Sequence, residues 1–269
     1  LARATGDQEA VSLALETYEN VQRRLARPGS YETAPYPIPE GVKAHGVSMI
    51  FSLVFHELGL LLKDEAILAA GLAQAEEVMT AFLRKEPGLV REYVTLDNTL
   101  IDSAQGRAIV PGHAIESMWF MIHIYQHWGN QQRIDEAVAA IKRHLEFGWD
   151  DAWGGILLAR DAAGGDPWGP CADSTLWWPH TEALFALLLA YAYGLRLLLV
   201  AGLTSLIAWL SATVGTWSGC YWLSFGERPE NFIVAGLLLF LFGLRAQGIH
   251  PGFPAICRVY GLLVVFIAI

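Results

Sequence analysis

Cysteine and basic residues are the scarce features of this 269-residue chain. Its three cysteines, Cys171, Cys220 and Cys257, lie far apart and form no CxxC pair, so the sequence predicts neither a disulfide framework nor a zinc ribbon. Lys and Arg number 18 against 27 Asp and Glu, which gives a formal net charge of -9. Because nucleic-acid binding needs clustered positive charge, this balance argues against a nucleic-acid partner. The cysteine usage favours a reducing, cytoplasmic location.

Several familiar motifs are also missing. Residues 1–8 show no basic segment followed by an apolar one, so we predict no signal peptide, and Leu1 in place of Met suggests a piece of a longer protein. Neither GxGxxG nor βαβ alternation occurs, which argues against a dinucleotide fold. His123 and His127 stand four residues apart, but HExxH is absent and no third ligand is near in the sequence. We therefore predict no metal site.

Charge nearly disappears towards the end of the sequence. Residues 195–269 hold six of the 45 charged side chains, and residues 197–225 hold none. We predict a domain over 1–194 and an apolar tail over 195–269. The 21 residues 197–217 are long enough to cross a hydrocarbon core of about 30 Å, but their Ser and Thr content favours a buried helix. Membrane contact through residues 197–244 stays open as the alternative.

Hydrophobic residues make up 54% of the chain, which excludes disorder because so much apolar surface favours a buried core. Over 1–194 they recur mostly at helical spacing, as Val11, Leu15 and Tyr18 do. The pattern predicts an all-α protein of paired helices with short β-hairpins. The predicted helices cover 7–26, 44–62, 64–84, 111–128, 130–147 and 174–193, with short strands within 89–95 and 149–167.

One group of candidate site residues lies at a predicted helix start. Pro111 and Gly112 open the helix, and His113, Glu116 and Trp119 then share one of its faces. The positive end of a helix disfavours imidazolium, so the ring of His113 suits a general base near neutral pH. The alternative is structural: His113 serves as an N-terminal hydrogen-bonding residue and Glu116 as a capping-box carboxylate.

A second group lies on the predicted helix over 174–193. Trp178 and Glu182 are four residues apart, and an indole with a carboxylate on one face suits a sugar, whose C–H faces stack while its hydroxyls donate. The alternative is a Trp-rich core in which an Arg pairs with Glu182. Glu116 and Glu182 are also the obvious carboxylate pair for a glycoside hydrolase, although the histidine-centred motif disfavours that chemistry.

Three segments in order resemble the N-acylglucosamine 2-epimerase family, which includes cellobiose 2-epimerases and mannose-type aldose-ketose isomerases. They are 102–120 (DSAQGRAIVPGHAIESMWF), 146–156 (EFGWDDAWGGI) and 176–184 (LWWPHTEAL). The resemblance covers about 1–194 and implies an incomplete (α/α)6 barrel. It also implies an isomerase that acts on a sugar without cofactor or metal.

The resemblance implies a sugar 2-epimerase that inverts C2 of an open-chain aldose through an enediolate. It makes His113 one of two acid/base histidines, while Arg107 matches a motif position without an assigned role. The implied substrate-binding residues are Glu116, Trp119, Trp178 and Glu182. Two alternatives stay open: an aldose-ketose isomerase, and an inactive membrane-associated fragment that binds sugar.

Two family features find no close match in this chain. The family's early helices supply a substrate-binding arginine, and this sequence starts after them. The family's second histidine lies in a later segment, for which the stretch Gly248–Pro254 offers only His250. The sequence thus makes His250 the candidate second acid/base group, and it leaves a homodimer open.

Overall fold

The computed structural model describes residues 5–27, 38–193, 199, 203, 229–245 and 252–267. Contacts divide the chain into two compact units. Unit 1 comprises Leu1–Ile109, Phe120–Ala137 and Arg160–Pro170, and unit 2 comprises Val110–Trp119, Val138–Ala159 and Cys171–Ile269. The predicted boundary between 194 and 195 stays a prediction.

Helices dominate the described residues. They are α1 Gln8–Leu25, α2 His45–Leu62, α3 Glu65–Glu77, α4 Ala104–Arg107, α5 Pro111–Trp128, α6 Gln131–Gly148, α7 Trp177–Tyr193, α8 Pro229–Arg245 and α9 Phe253–Ile267. The strands are β1 Val42–Ala44, β2 Leu83–Arg84, β3 Leu89–Val90, β4 Tyr93–Thr95, β5 Ala108–Ile109 and β6 Arg160–Asp161. The predicted all-α class is confirmed.

Side-chain caps explain where several helices begin. Asp7 accepts hydrogen bonds from the backbone N–H groups of the first turn of α1, and Asp64 does the same for α3. Asn130 accepts from the backbone N–H of Arg133 at 3.2 Å at the start of α6. The predicted caps Asp64 and Asn130 are thus observed, and each satisfies donors that have no partner within the helix.

The helical segment predicted over 64–84 ends two residues early, at Phe82, and its last turn is not α-helical. The α-helix stops at Glu77, a π-helical turn covers Val78–Phe82, and β2 follows. Leu83 pairs with Val90, so the chain reverses in a β2–β3 hairpin where the apolar pattern alone suggested more helix.

The strands form three short antiparallel pairs, β1 with β4, β2 with β3, and β5 with β6. The strand predicted within 89–95 is observed as two strands, β3 and β4. Within 149–167 the structure has β6 and a bridge between Trp149 and Ile156. The β2–β3 pair is a hairpin of the predicted kind, whereas β1–β4 and β5–β6 join strands that helices separate along the chain.

Unit 1 has its core where three helices meet. Phe55 and Leu58 of α2 and Ile67 of α3 are buried together, and Leu15 and Tyr18 of α1 pack against them. The ring of Tyr18 meets Phe55 edge-on, with 4.9 Å between centroids. The apolar stripe of α1 therefore faces this core, as its spacing predicts.

Among the described residues, α2 is the one helix whose length and hydropathy would let it cross a membrane, and 44% of that segment is buried inside the protein. The run 197–217 lies outside the described residues except for Leu199 and Leu203, both of which are buried. Residues 231–244, the last part of the segment 197–244 for which membrane contact is the alternative, fall within α8, which packs against α9.

Candidate functional site

The first turn of α5 is built around Gly112. A Cβ atom on Gly112 would lie 2.6 Å from Cη2 of Trp178, so only glycine lets the indole lie against this turn. The rings of Trp178 and His113 are 5.4 Å apart between centroids. Pro111 is suited to a first helical position because its missing N–H has no intrahelical partner there. The sequence therefore places an imidazole beside an indole at the start of α5.

Three residues of α5 form a half-buried face. His113, Glu116 and Trp119 are each partly exposed, whereas the intervening side chains are buried. The predicted shared face is observed. The capping-box alternative is wrong, because a helix that begins at Pro111 has His113, not Glu116, at its third position.

Helix α7 supplies the other side of the site. The indole N–H of Trp119 donates to Oε2 of Glu182 at 2.9 Å, and the ring of Phe185 lies 4.4 Å from that of Trp119. Glu182 thus has an indole as its partner among the described residues rather than the arginine of the alternative reading. A carboxylate has more acceptor capacity than one indole uses, so Glu182 can also accept from a hydroxyl.

The charges of this cluster act on one another. Burial raises the pKa of Glu116 above its ordinary value, the negative charge of Glu182 raises it further, and His113 opposes the rise. Glu116 therefore holds its proton to a higher pH than an exposed glutamate does. A group of one imidazole and two carboxylates, one of them with a raised pKa, can both accept and donate protons.

His180 holds the start of α7 in place. Its Nδ1 donates to the carbonyl of Leu176 at 2.8 Å, and its Nε2 accepts the backbone N–H of Ile156 at 3.0 Å. The side chain is buried, and burial lowers its pKa, which keeps the ring neutral. Gly155 has φ +94°, and a Cβ there would lie 3.0 Å from Nε2.

His180 thereby joins the 149–157 loop to the helix that carries Trp178 and Glu182. Sequence reasoning gave no role to His180 or to Phe185. Phe185 lies three residues after Glu182, a spacing that could have placed it on the same face of α7.

Arg107 has a structural role in unit 1. Its Nε lies 3.1 Å from Oδ2 of Asp161, and its Nη1 lies 2.9 Å from Oδ1 of Asp102. Although burial acts to raise the pKa of Asp161, the backbone N–H of Ala163 and the Arg107 guanidinium bring it below its usual value. Arg107 thus fixes the position of a buried, ionised carboxylate that β6 carries opposite β5.

Two further sequence predictions concern histidines elsewhere. His250 lies outside the described residues. The reason given against a metal site near His123, the lack of a third ligand, does not hold, because the structure brings His56 and Glu57 of α2 to His123. Sequence spacing could not reveal this group, since its members come from two helices.

A family model and curated proteins match this chain. The family model for N-acylglucosamine 2-epimerase (GlcNAc 2-epimerase) matches residues 2–197. N-acylglucosamine 2-epimerase of Bos taurus is 26% identical over 204 residues, which cover 71% of this chain and 46% of that protein. The chain therefore spans about half the length of the curated relatives it matches.

Solved structures give the fold. A D-mannose isomerase matches with a TM-score of 0.60 and 17% identity over 74% of this chain and 54% of its own. Cellobiose 2-epimerase from Bacillus thermoamylovorans matches with a TM-score of 0.61 and 15% identity over 79% and 56% of the two chains. The fold is of the (α/α)6 barrel type, as the resemblance implies.

Proposed function

The chain belongs to the N-acylglucosamine 2-epimerase family, and from this premise we propose that it supplies one half of the acid/base chemistry of a sugar 2-epimerase. The observation that carries the proposal is the position of His113. Its ring lies beside the Trp178 indole, and it shares one face of α5 with Glu116 and Trp119. The curated relatives are epimerases of N-acylglucosamine, which favours a 2-acylamino sugar as the substrate. They also favour epimerisation over the isomerase and sugar-binding alternatives.

Each residue type has a part in this chemistry. With the sugar open, His113 removes the C2 proton next to the C1 carbonyl, and the electron pair moves into the enediolate. Return of a proton to the opposite face inverts C2 and restores the carbonyl. The faces of Trp178 and Trp119 stack on sugar C–H groups, while Glu116 and Glu182 accept from hydroxyls.

Inversion needs a second acid/base group on the other face of the enediolate. His250 remains the candidate for this role, and its place in the mechanism is a prediction from the sequence. A cytoplasmic location and a homodimer likewise stay predictions.

Exchange of the C2 proton tests the proposal. The protein is incubated in D2O with N-acetylmannosamine, mannose or cellobiose, and the C2 proton signal is followed by NMR. We expect washout with at least one sugar, and His113→Asn should slow it by about 100-fold or more, the usual contribution of a positioned base. His127→Asn, which changes an exposed histidine, is the matched control and should exchange normally. No washout with any of the three sugars, or equal rates for both variants, would contradict the proposal.

A further inference from the structure

A second cluster of titratable side chains lies in unit 1. His56 and Glu57 come from α2 and His123 from α5, and the possible ligand atoms of the three all lie within 4.8 Å of one another. Nε2 of His123 is 3.0 Å from Oε1 of Glu57. The rings of His56 and His123 meet edge-on, with centroids 5.5 Å apart. Two imidazoles and a carboxylate thus converge from two helices.

His56 is the unusual member of this cluster. Its side chain is fully buried, and neither ring nitrogen has a hydrogen-bond partner among the described residues. A buried polar atom left unpaired is costly, and such atoms are rare in folded proteins. An ion bound at the lone pair of His56 would satisfy one of these two nitrogens, so the buried acceptor nitrogen itself points to a ligand.

The protonation state of the ring fits a metal ligand. Burial, together with the nearby charges of His123 and His127, lowers the pKa of His56 to about 4, although Glu57 opposes the change. The ring is therefore neutral near pH 7, which is the form that binds a metal. The carboxylate of Glu57 supplies the negative charge that a divalent cation needs.

The donor set indicates which ions suit the cluster. Zinc, cobalt and nickel accept imidazole nitrogen with carboxylate oxygen, whereas calcium and magnesium take oxygen ligands almost alone. Ligand atoms of a tetrahedral zinc ion lie about 3.3 Å apart. The 3.0 Å between Oε1 of Glu57 and Nε2 of His123 is already close to that value, and the possible ligand atom of His56 lies within 4.8 Å of both.

We propose that His56, Glu57 and His123 bind a divalent transition-metal ion of the zinc type, and that this ion joins α2 to α5. The ion can reach the cluster from solvent, because Glu57 and His123 are each about one third exposed at the side chain. Glu57 also lines a cavity of about 520 Å³ between α1 and α2 whose other walls are largely apolar. The site is independent of the proposed sugar chemistry, since its residues take no part there.

Direct metal titration tests the proposal. The chain, free of any histidine tag and treated with a chelator that is then removed, is titrated with Co²⁺ and followed by visible absorption, and with Zn²⁺ by calorimetry. We expect one ion per chain and no comparable binding of Mg²⁺. The bound Co²⁺ should show the strong d–d absorption bands that are typical of a low coordination number. Loss of a residue that only hydrogen-bonds a metal ligand lowers metal affinity by about 10- to 100-fold. Glu57→Gln and His123→Asn each change a direct ligand, so each should weaken Zn²⁺ binding by at least that factor.

The variants are chosen to keep the fold intact. Glu57 and His123 are partly exposed, so their replacement is less disruptive than replacement of the buried His56, and circular dichroism with thermal unfolding checks each variant. Glu16→Gln makes the same change as Glu57→Gln at an exposed position of α1 and should bind Zn²⁺ like the unmodified chain. Equal Zn²⁺ affinity in folded Glu57→Gln, His123→Asn and Glu16→Gln proteins, or no saturable binding at all, would overturn the proposal.

Discussion

The indole N–H of Trp119 donates to Oε2 of Glu182 across 2.9 Å, linking residues that are 63 positions apart in the sequence. The bond joins the half-buried face of α5 to the first turns of α7. It fixes the carboxylate of Glu182 beside Glu116, whose pKa that charge raises. The two helices thus form one electrostatic unit around the proposed sugar site.

Loss of this hydrogen bond should weaken sugar binding. In Trp119→Phe the aromatic face remains, but Glu182 loses the donor that orients it. A hydrogen bond to a charged group contributes about 1.5 to 3 kcal/mol, and for this half-buried pair we expect the lower end, about a tenfold rise in the Kd for sugar. Calorimetric titration measures it. Trp128→Phe, at an exposed indole, should change the Kd less than about twofold, and equal effects in the two variants would argue against the role of the bond.

Gly112 allows the close approach of Trp178, and a methyl group there should disturb both stability and activity. In Gly112→Ala the new Cβ would lie 2.6 Å from Cη2 of the indole, so the ring must move. Overpacking of this kind costs about 1 to 3 kcal/mol of unfolding free energy. Urea unfolding and the C2 exchange rate measure the two effects.

Gly46 offers the control for this substitution. It lies in α2 and a Cβ there meets nothing within 4 Å, so Gly46→Ala should stabilise the protein by up to about 1 kcal/mol through helix propensity. If Gly112→Ala has the same unfolding free energy and exchange rate as Gly46→Ala, the position of the Trp178 indole does not depend on glycine at 112.

Glu116→Gln should stabilise the protein at pH 7 while it weakens sugar binding. The raised pKa means that the folded state binds the Glu116 proton more tightly than the unfolded chain does. Stability is therefore lost as pH rises from the ordinary glutamate pKa of 4.5 through the raised folded value. Glutamine removes this loss, so the gain should be present at pH 7 and absent near pH 4.

Urea unfolding at both pH values checks this expectation. Glu146→Gln removes an exposed carboxylate of α6 and should show no such gain at pH 7. A Glu116→Gln protein that is less stable than the parent at pH 7 would show that the carboxylate is not held at an energetic cost.

Local sequence features predicted much of the fold and the candidate site. The helix bounds of α1, α2, α5 and α6 follow from caps and from apolar spacing, because both signals lie within one helix. The face shared by His113, Glu116 and Trp119 follows from the 3.6-residue period for the same reason.

Interactions between elements could not be predicted in this way. The bond from Trp119 to Glu182, the acceptance of the Ile156 N–H by His180, and the meeting of His56 with His123 all depend on how separate segments pack. Periodicity states which side chains share a face, but it does not state what that face meets. The end of the helical segment at Phe82 has the same origin, since Leu83 begins the pairing of β2 with β3.

His180 should act as a positioning residue with a measurable effect on pH dependence. Burial lowers its pKa below 6.5, so the unfolded chain binds the proton more tightly than the folded protein does. Stability should therefore fall as pH decreases from 6.5 towards the lowered folded value. His180→Gln removes the titrating ring, so its stability should change less between pH 7 and pH 5 than that of the parent. At pH 7 the variant should lose about 1 to 3 kcal/mol, because the amide of Gln is not shaped to replace both the bond to the Leu176 carbonyl and the bond to the Ile156 N–H, and one buried group is left unpaired.

Urea unfolding at pH 5 and pH 7 gives both quantities. A positioning role also predicts a rise in KM for sugar with a smaller change in kcat, because Trp178 and Glu182 shift when the start of α7 is released. If His180→Gln leaves unchanged both the pH dependence of the unfolding free energy and the KM for sugar, the 149–157 loop keeps its place without this imidazole.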